Sequence, residues 1–232
     1  MDVVTTQSKH KIGVIVSGAR DTRIGNSITE WILRTVPKSD FIEYSVIDLK
    51  TWNTSAPTPM FEFTASTAHS NTTKINEATT SRWSREVAEK SGFIFITPEY
   101  NYGYPPSIKN CLDHVRQEWN GKPAVLISYG FSGGASAASH LKPVLVDSLL
   151  MKILDIQPQL VINYDILDKT TGQFFDINGC FKQYEPIICK SIFELYNLLN
   201  TNNSDIDSNN NNNNNCNNNS SDSSNTTPIQ FF

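Results

Sequence analysis

Three short segments hold residues whose types and spacing suit ligand chemistry. The first, Ser17-Gly18-Ala19-Arg20-Asp21-Thr22-Arg23-Ile24-Gly25-Asn26, follows an apolar run and leads into a helical pattern. Small residues let backbone N–H groups converge, a helix start adds partial positive charge, and two arginines can grip phosphate oxygens bidentately. Together these features suit a phosphate cradle, although a surface turn with solvated arginines reads the same way. The segment contains neither G-x-x-x-x-G-K-[ST] nor G-x-G-x-x-G, so the usual triphosphate and dinucleotide loops are absent. The second segment runs from Thr97 to Pro106 (TPEYNYGYPP). Its three prolines fix backbone angles, Gly103 offers a positive φ, and Tyr100, Tyr102 and Tyr104 crowd together. A flat aromatic ligand suits such a loop, as does packing on a neighbouring loop or subunit. The third, Ser128 to Gly134 (SYGFSGG), lets backbone approach the edge of a planar heterocycle, or is a plain flexible loop.

Other chemistry is poorly supplied. His114 flanks an apolar stripe, His140 opens a helix, and His10 and His69 sit in polar stretches, none with a paired acid. Cys111, Cys180, Cys189 and Cys216 form no CxxC pair, so disulfides and zinc are both poor readings and a reducing, cytoplasmic setting is the better one. Cys111 belongs to an apolar stripe and reads as an inert core thiol. The 232 residues carry 19 Lys plus Arg against 23 Asp plus Glu, a net charge of −4. That balance lacks the basic surplus by which nucleic-acid binders neutralise phosphates. No run approaches the roughly 18 apolar residues of a membrane span, and the opening MDVVTTQSKHK lacks a basic start followed by an apolar block.

The loops need elements to position them. Lys11–Ser17, Gly92–Thr97 and Ala124–Tyr129 are nearly continuous in β-branched and aromatic residues, as strands buried on both faces are. Phe41–Leu49 and Gln159–Tyr164 are more mixed and read as strands near an edge. Ile28, Trp31, Ile32 and Thr35 mark a first helix, with Ser27 and Glu30 as its capping box. Ile108, Cys111, Leu112, Val115 and Trp119 form a second stripe, entered through Pro105 and Pro106. Further helices are expected on Ser81–Ser91, on Leu141 to Leu149 with Pro143 at its start or kink, and on Ser191–Leu199. Asp168–Cys180 has room for a hairpin. The alternation of strands and helices gives an α/β fold, a doubly wound five-stranded parallel sheet with helices on both faces. By composition, 1–10 is a flexible N-terminus, 11–200 the folded domain, and 201–232 a disordered tail, since Thr201–Thr227 holds 13 Asn in 27 positions and almost nothing apolar to bury.

The segment Thr97 to Asp113, TPEYNYGYPPSIKNCLD, resembles the signature of the NADPH-dependent FMN reductase family, where a T-P-E-Y-N turn, a Pro four residues on and a K-N-x-x-D helix start recur. RWSRE at Arg82–Glu86 and EWNGKPAVLISYGFSGG at Glu118–Gly134 extend a likeness that covers about Lys11 to Leu160 and is strongest to the small quinone and azo-dye reductases. The resemblance implies a flavodoxin-like sheet of order 2-1-3-4-5, non-covalent FMN, and a homodimer or homotetramer. By position, it implies that Arg20 and the backbone of Gly18 to Arg23 hold the FMN phosphate. Glu99, Tyr100, Asn101 and Tyr102 would line the isoalloxazine largely through main chain, and Tyr129 with Gly130 would meet it from the other side. The family reads Gly-Ser where this chain has Ser17-Gly18. The implied activity moves a hydride from NADPH or NADH to FMN and two electrons on to a quinone, azo compound or similar small acceptor. A flavodoxin-like electron carrier, or a flavin redox sensor that binds a partner, is the competing reading.

Overall fold

The computed structural model describes residues 9–54, 82–168 and 170–213. Six parallel strands form one sheet: β1 (His10–Val16), β2 (Ile42–Asp48), β3 (Gly92–Pro98), β4 (Pro123–Gly130), β5 (Lys152–Ile153) and β6 (Gln159–Val161). Their order is 2-1-3-4-5, with β6 also paired to β4. β3 is buried throughout, and β1 and β4 nearly so, because each is flanked by a strand on both sides and by side chains on both faces. Alternate residues then build two cores. Ile12, Val14, Ile94, Ile96, Val125 and Ile127 pack with Trp31, Phe181 and Leu195 on one face. Ile15, Phe93, Phe95, Ala124 and Leu126 pack with Trp83, Leu112 and Trp119 on the other.

The fifth position in the sheet is not one strand. β5 pairs with the start of β4 at Pro123 and Ala124, and β6 with its end at Ser128 to Gly130. Pro158 lacks an N–H and accepts from Ser128 through its carbonyl (3.0 Å) where β6 resumes the pairing. β6 also stops at Val161, short of the expected Tyr164, which opens a 3-10 turn.

Helices are α1 (Gly25–Thr35), α2 (Leu49–Thr54), α3 over 82–88, α4 (Pro106–Asp113), α5 (Ala135–Pro143), α6 (Ile177–Phe181) and α7 (Glu185–Asn213). Four expectations need correcting. The capping box on α1 does not form: the helix starts at Gly25, two residues before Ser27, whose hydroxyl instead donates to Gln173 (3.3 Å). The second stripe is not one helix, since α4 ends at Asp113 and the chain turns so that Trp119 packs on Phe93 with ring centroids 4.8 Å apart. Pro143 ends α5 rather than starting it, and a π-helical turn follows over Val144–Ser148. α7 starts earlier than Ser191, with Pro186 in its first turn, and its backbone stays helical to Asn213, because extending a formed helix costs far less than nucleating one.

Residues 214–232 and the stretch 55–81 lie outside the described residues. The chain divides into two compact units, Met1–Leu199 and Asn200–Phe232, the sheet belonging to the first. An isolated antiparallel bridge joins Leu167 to Phe174, at the start of the stretch expected to have room for a hairpin. Among the described residues no helix is long and apolar enough to cross a membrane.

Candidate functional site

The loops leaving β1, β3 and β4 lie together at the carboxyl ends of adjacent strands, where open parallel sheets bind ligands. After β1, Ser17 is fully buried and faces inward. Its N–H and its hydroxyl both donate to the Ile96 carbonyl (3.1 Å each), and its own carbonyl accepts from the Ser107 hydroxyl (2.5 Å). Arg23 is equally committed: it donates to the Gly18 carbonyl (3.2 Å) and pairs with Asp48 at the end of β2. Lys50 bonds Asp48 through its backbone N–H (3.0 Å) and Asp21 through its ammonium (2.5 Å). The Lys50 ammonium, through its hydrogen bond and its charge, holds the exposed Asp21 carboxyl below its ordinary range.

Arg20 is left facing solvent, its guanidinium 3.7 Å from the centre of the Tyr100 ring. Beside it, α1 begins after Ile24 with no side-chain cap and no acid in its first turn. Among the described residues, the first-turn N–H groups of this 11-residue helix therefore meet no side-chain acceptor. An uncapped helix start with a neighbouring arginine is the donor set a phosphate monoester requires, so these residues fit the phosphate end of FMN.

After β3 the chain makes a two-residue turn, in which Tyr100 and Gly103 exchange N–H to carbonyl bonds of 2.8 and 3.0 Å. Asn101 (φ 49°) and Tyr102 (φ 61°) both occupy the left-handed region. The expected positive φ at Gly103 is thus corrected: the hydrogen-bonded pair closes the turn one residue earlier, and the two central positions carry the twist of a type I′ hairpin. Asn tolerates that conformation, but for Tyr102, a residue 77 % exposed, it is strained.

Glu99 does not turn its carboxylate toward the loop's outer face. It accepts from the backbone N–H of Ser136 (2.9 Å) and Ala137 (3.4 Å), capping α5 from another loop, while its own N–H donates to the Tyr129 carbonyl (3.0 Å). Gly130 lies against Glu99, and Gly133 (φ 70°) and Gly134 (φ 74°) bring the glycine-rich loop back to α5. A Cβ at Gly134 would lie 2.8 Å from the Tyr129 nitrogen, so only glycine fits there.

Tyr129 lies near the end of β4, at the start of the third loop. Its side chain, 4 % exposed, runs under the first loop, and its hydroxyl reaches within 3.1 Å of where a Gly18 Cβ would sit and 2.8 Å of a Gly25 Cβ. Burial, reinforced by Tyr100 and opposed by Arg23, pushes the phenol well above its ordinary range. Tyr100 is raised for the same first reason, with Arg20 and Arg23 opposing.

The structure therefore gathers Arg20, Tyr100 and Tyr129 at the first loop, Asn101 and Tyr102 at the turn, and Glu99 with Gly130 where the second and third loops meet. Sequence reasoning missed three contributors. Asp48 anchors Arg23, and its only signal is an acid at the end of a strand. Phe131 and Tyr164, 62 % and 69 % exposed, lean together with centroids 4.7 Å apart after β4 and β6; an aromatic inside a glycine-rich loop was the available cue.

Residues 10–165 match the family model described as NADPH-dependent FMN reductase. An NAD(P)H-dependent FMN reductase of Schizosaccharomyces pombe is 34 % identical over 156 residues, covering 67 % of this chain and 74 % of its own. The quinone reductase of Escherichia coli is 32 % identical over 115 residues, covering 41 % of this chain and 61 % of its own. In fold, the flavoenzyme NAD(P)H:(acceptor) oxidoreductase of Paracoccus denitrificans superimposes with a TM-score of 0.56 at 18 % identity, over 80 % of this chain and 98 % of that one. Since the family model spans well over half of the chain and takes in all three loops, the protein belongs to the NADPH-dependent FMN reductase family.

Proposed function

We propose that the protein is an FMN-dependent NAD(P)H oxidoreductase that passes two electrons to quinones or similar small flat acceptors. The observation that carries this reading is the uncapped start of α1 beside Arg20, set next to an aromatic turn and a glycine-rich loop. Bound FMN supplies the redox chemistry, accepting hydride from NADPH or NADH and passing electrons on. The chain's part is to bind and to orient. Arg20 and the first-turn N–H groups of α1 hold the phosphate. The backbone of Glu99 to Tyr102 and of Gly130 lines the ring, with the strained turn fixing where Tyr102 stands. The exposed pair Phe131 and Tyr164 offers an apolar wall beside it. No side chain is nominated as an obligatory acid or base.

The quinone class of acceptor draws support from the relative in Escherichia coli and from the aromatic surroundings of the site. Free Cys111, Cys180 and Cys189 agree with a reducing, cytoplasmic setting. The visible spectrum of purified protein, followed by anaerobic NADPH, tests the assignment. Flavin bands that bleach are expected; bound flavin that neither NADPH nor NADH reduces would favour an electron carrier instead.

A homodimer or homotetramer goes with this reading. Tyr102, Phe131 and Tyr164 are exposed aromatics around the site, an arrangement that a subunit interface covers well. The apolar residues Ile108, Cys111 and Leu112 of α4, by contrast, are buried in the chain's own core and contribute nothing to that surface. Sedimentation that finds a fully active monomer at micromolar concentration would remove the oligomer from the proposal.

A further inference from the structure

We infer that the Tyr129 hydroxyl, reaching from the end of β4 to the floor of the loop between β1 and α1, donates a hydrogen bond to the phosphate of the bound flavin. The inference rests on the FMN reading above and deepens it at the phosphate end. Four observations carry it.

First, the hydroxyl lies between the two glycines that bracket the loop, 3.1 Å from the Cβ position of Gly18 and 2.8 Å from that of Gly25. Gly25 is the first residue of α1, so the phenol is aimed at the uncapped helix start. Second, the side chain is 4 % exposed and its hydroxyl makes no hydrogen bond to a described residue, yet it is not among the fully enclosed unpaired atoms, which are those of Tyr44, Asn110 and Trp119. A donor with no partner inside the protein and not walled in by it is free for a ligand or a water.

Third, the hydroxyl nearest in sequence is already spent, because Ser17 donates inward to Ile96 and Gly18 has no side chain. The loop therefore draws this donor from β4, two strands away across β3. Fourth, a phenol kept protonated by burial remains a donor beside a phosphate dianion, where a more acidic group would ionise and repel it. The half-buried Tyr100 hydroxyl, 3.6 Å from the same Gly18 position, lies beneath Arg20 and completes a floor of two phenols under one guanidinium.

Tyr129→Phe isolates the hydroxyl while keeping the ring that packs in the core. Flavin is removed from the full chain, and FMN and riboflavin are each titrated against wild type and variant by flavin fluorescence. The variant should bind FMN roughly ten- to hundred-fold more weakly, the ordinary worth of a hydrogen bond to a charged group, and riboflavin equally well. Its flavin-free melting temperature should stay the same or rise, since the lost hydroxyl bonded nothing in the protein. Unchanged FMN affinity overturns the inference, and so do equal losses for both flavins or a lowered melting temperature, which would make the hydroxyl a prop for the loop. Wild type that binds neither flavin overturns the FMN reading itself, and this inference with it.

Discussion

The two ends of the candidate site are held by different means. At the phosphate end, side chains hold the loop: Arg23 pairs with Asp48, Lys50 with Asp21, and Ser107 pins the Ser17 carbonyl. At the ring end, backbone conformation holds it, through left-handed Asn101, Tyr102, Gly133 and Gly134, and Glu99 is the chief side-chain tie. The difference teaches where each end is vulnerable. A charged loop loses affinity for one ligand group when one side chain goes, whereas a turn built from backbone angles fails as a whole when an angle is denied.

Gly134→Ala should break the ring end most severely. The added Cβ meets Tyr129 backbone atoms at 2.8 and 2.9 Å, in a left-handed residue that cannot yield, at a cost of about 3 kcal/mol. Urea unfolding should show that loss, and FMN and riboflavin should weaken together, since both carry the ring. Arg20→Ala sharpens the contrast from the other side. It should cost about 1.5–3 kcal/mol of FMN affinity, leave riboflavin binding intact, and leave stability unchanged because the residue is exposed. Equal losses for the two flavins would mean that Arg20 braces Tyr100 instead.

Glu99→Ala removes the cap that α5 borrows, worth about 0.5–2 kcal/mol in stability, while Glu99→Gln should recover part of it through the remaining oxygen. An unchanged melting temperature in both variants would leave the ring end to backbone alone. The smallest effect belongs to Gly103→Ala. Its Cβ would meet only the Tyr100 oxygen at 3.7 Å and its φ is ordinary, so it should be neutral or raise stability by less than about 1 kcal/mol. A large loss there would mean that the turn tolerates no change at its closing residue.

What the sequence made legible follows the same division. β1, β3 and β4 announce themselves because strands buried on both faces must be apolar along their length. Arg20 over Tyr100 joins two segments already singled out, though not their contact. What stayed hidden depends on tertiary neighbours. The capping-box pattern at Ser27 and Glu30 is a local rule, and it lost to the helix start at Gly25, where the loop closes over Tyr129. Nothing local says that Tyr129 reaches across β3, or that the acid capping α5 lies 37 residues upstream of Ser136. Gly103 is the usual candidate for a left-handed residue, yet hydrogen-bond closure between Tyr100 and Gly103 assigned that role to its two predecessors.

Quinones, the acceptors proposed for this site, are electrophiles that add to thiolates, so an enzyme that reduces them risks alkylating itself. Cys111 stands on α4, the helix entered directly from the aromatic turn. Burial, and to a smaller degree Asp113, pushes its thiol far above the ordinary range, and the side chain is shut in against the sheet. Only the thiolate is reactive, and an apolar wall denies it both the charge and the approach. The packing that stacks α4 on the sheet would thereby keep this thiol out of reach of the acceptor proposed for the site.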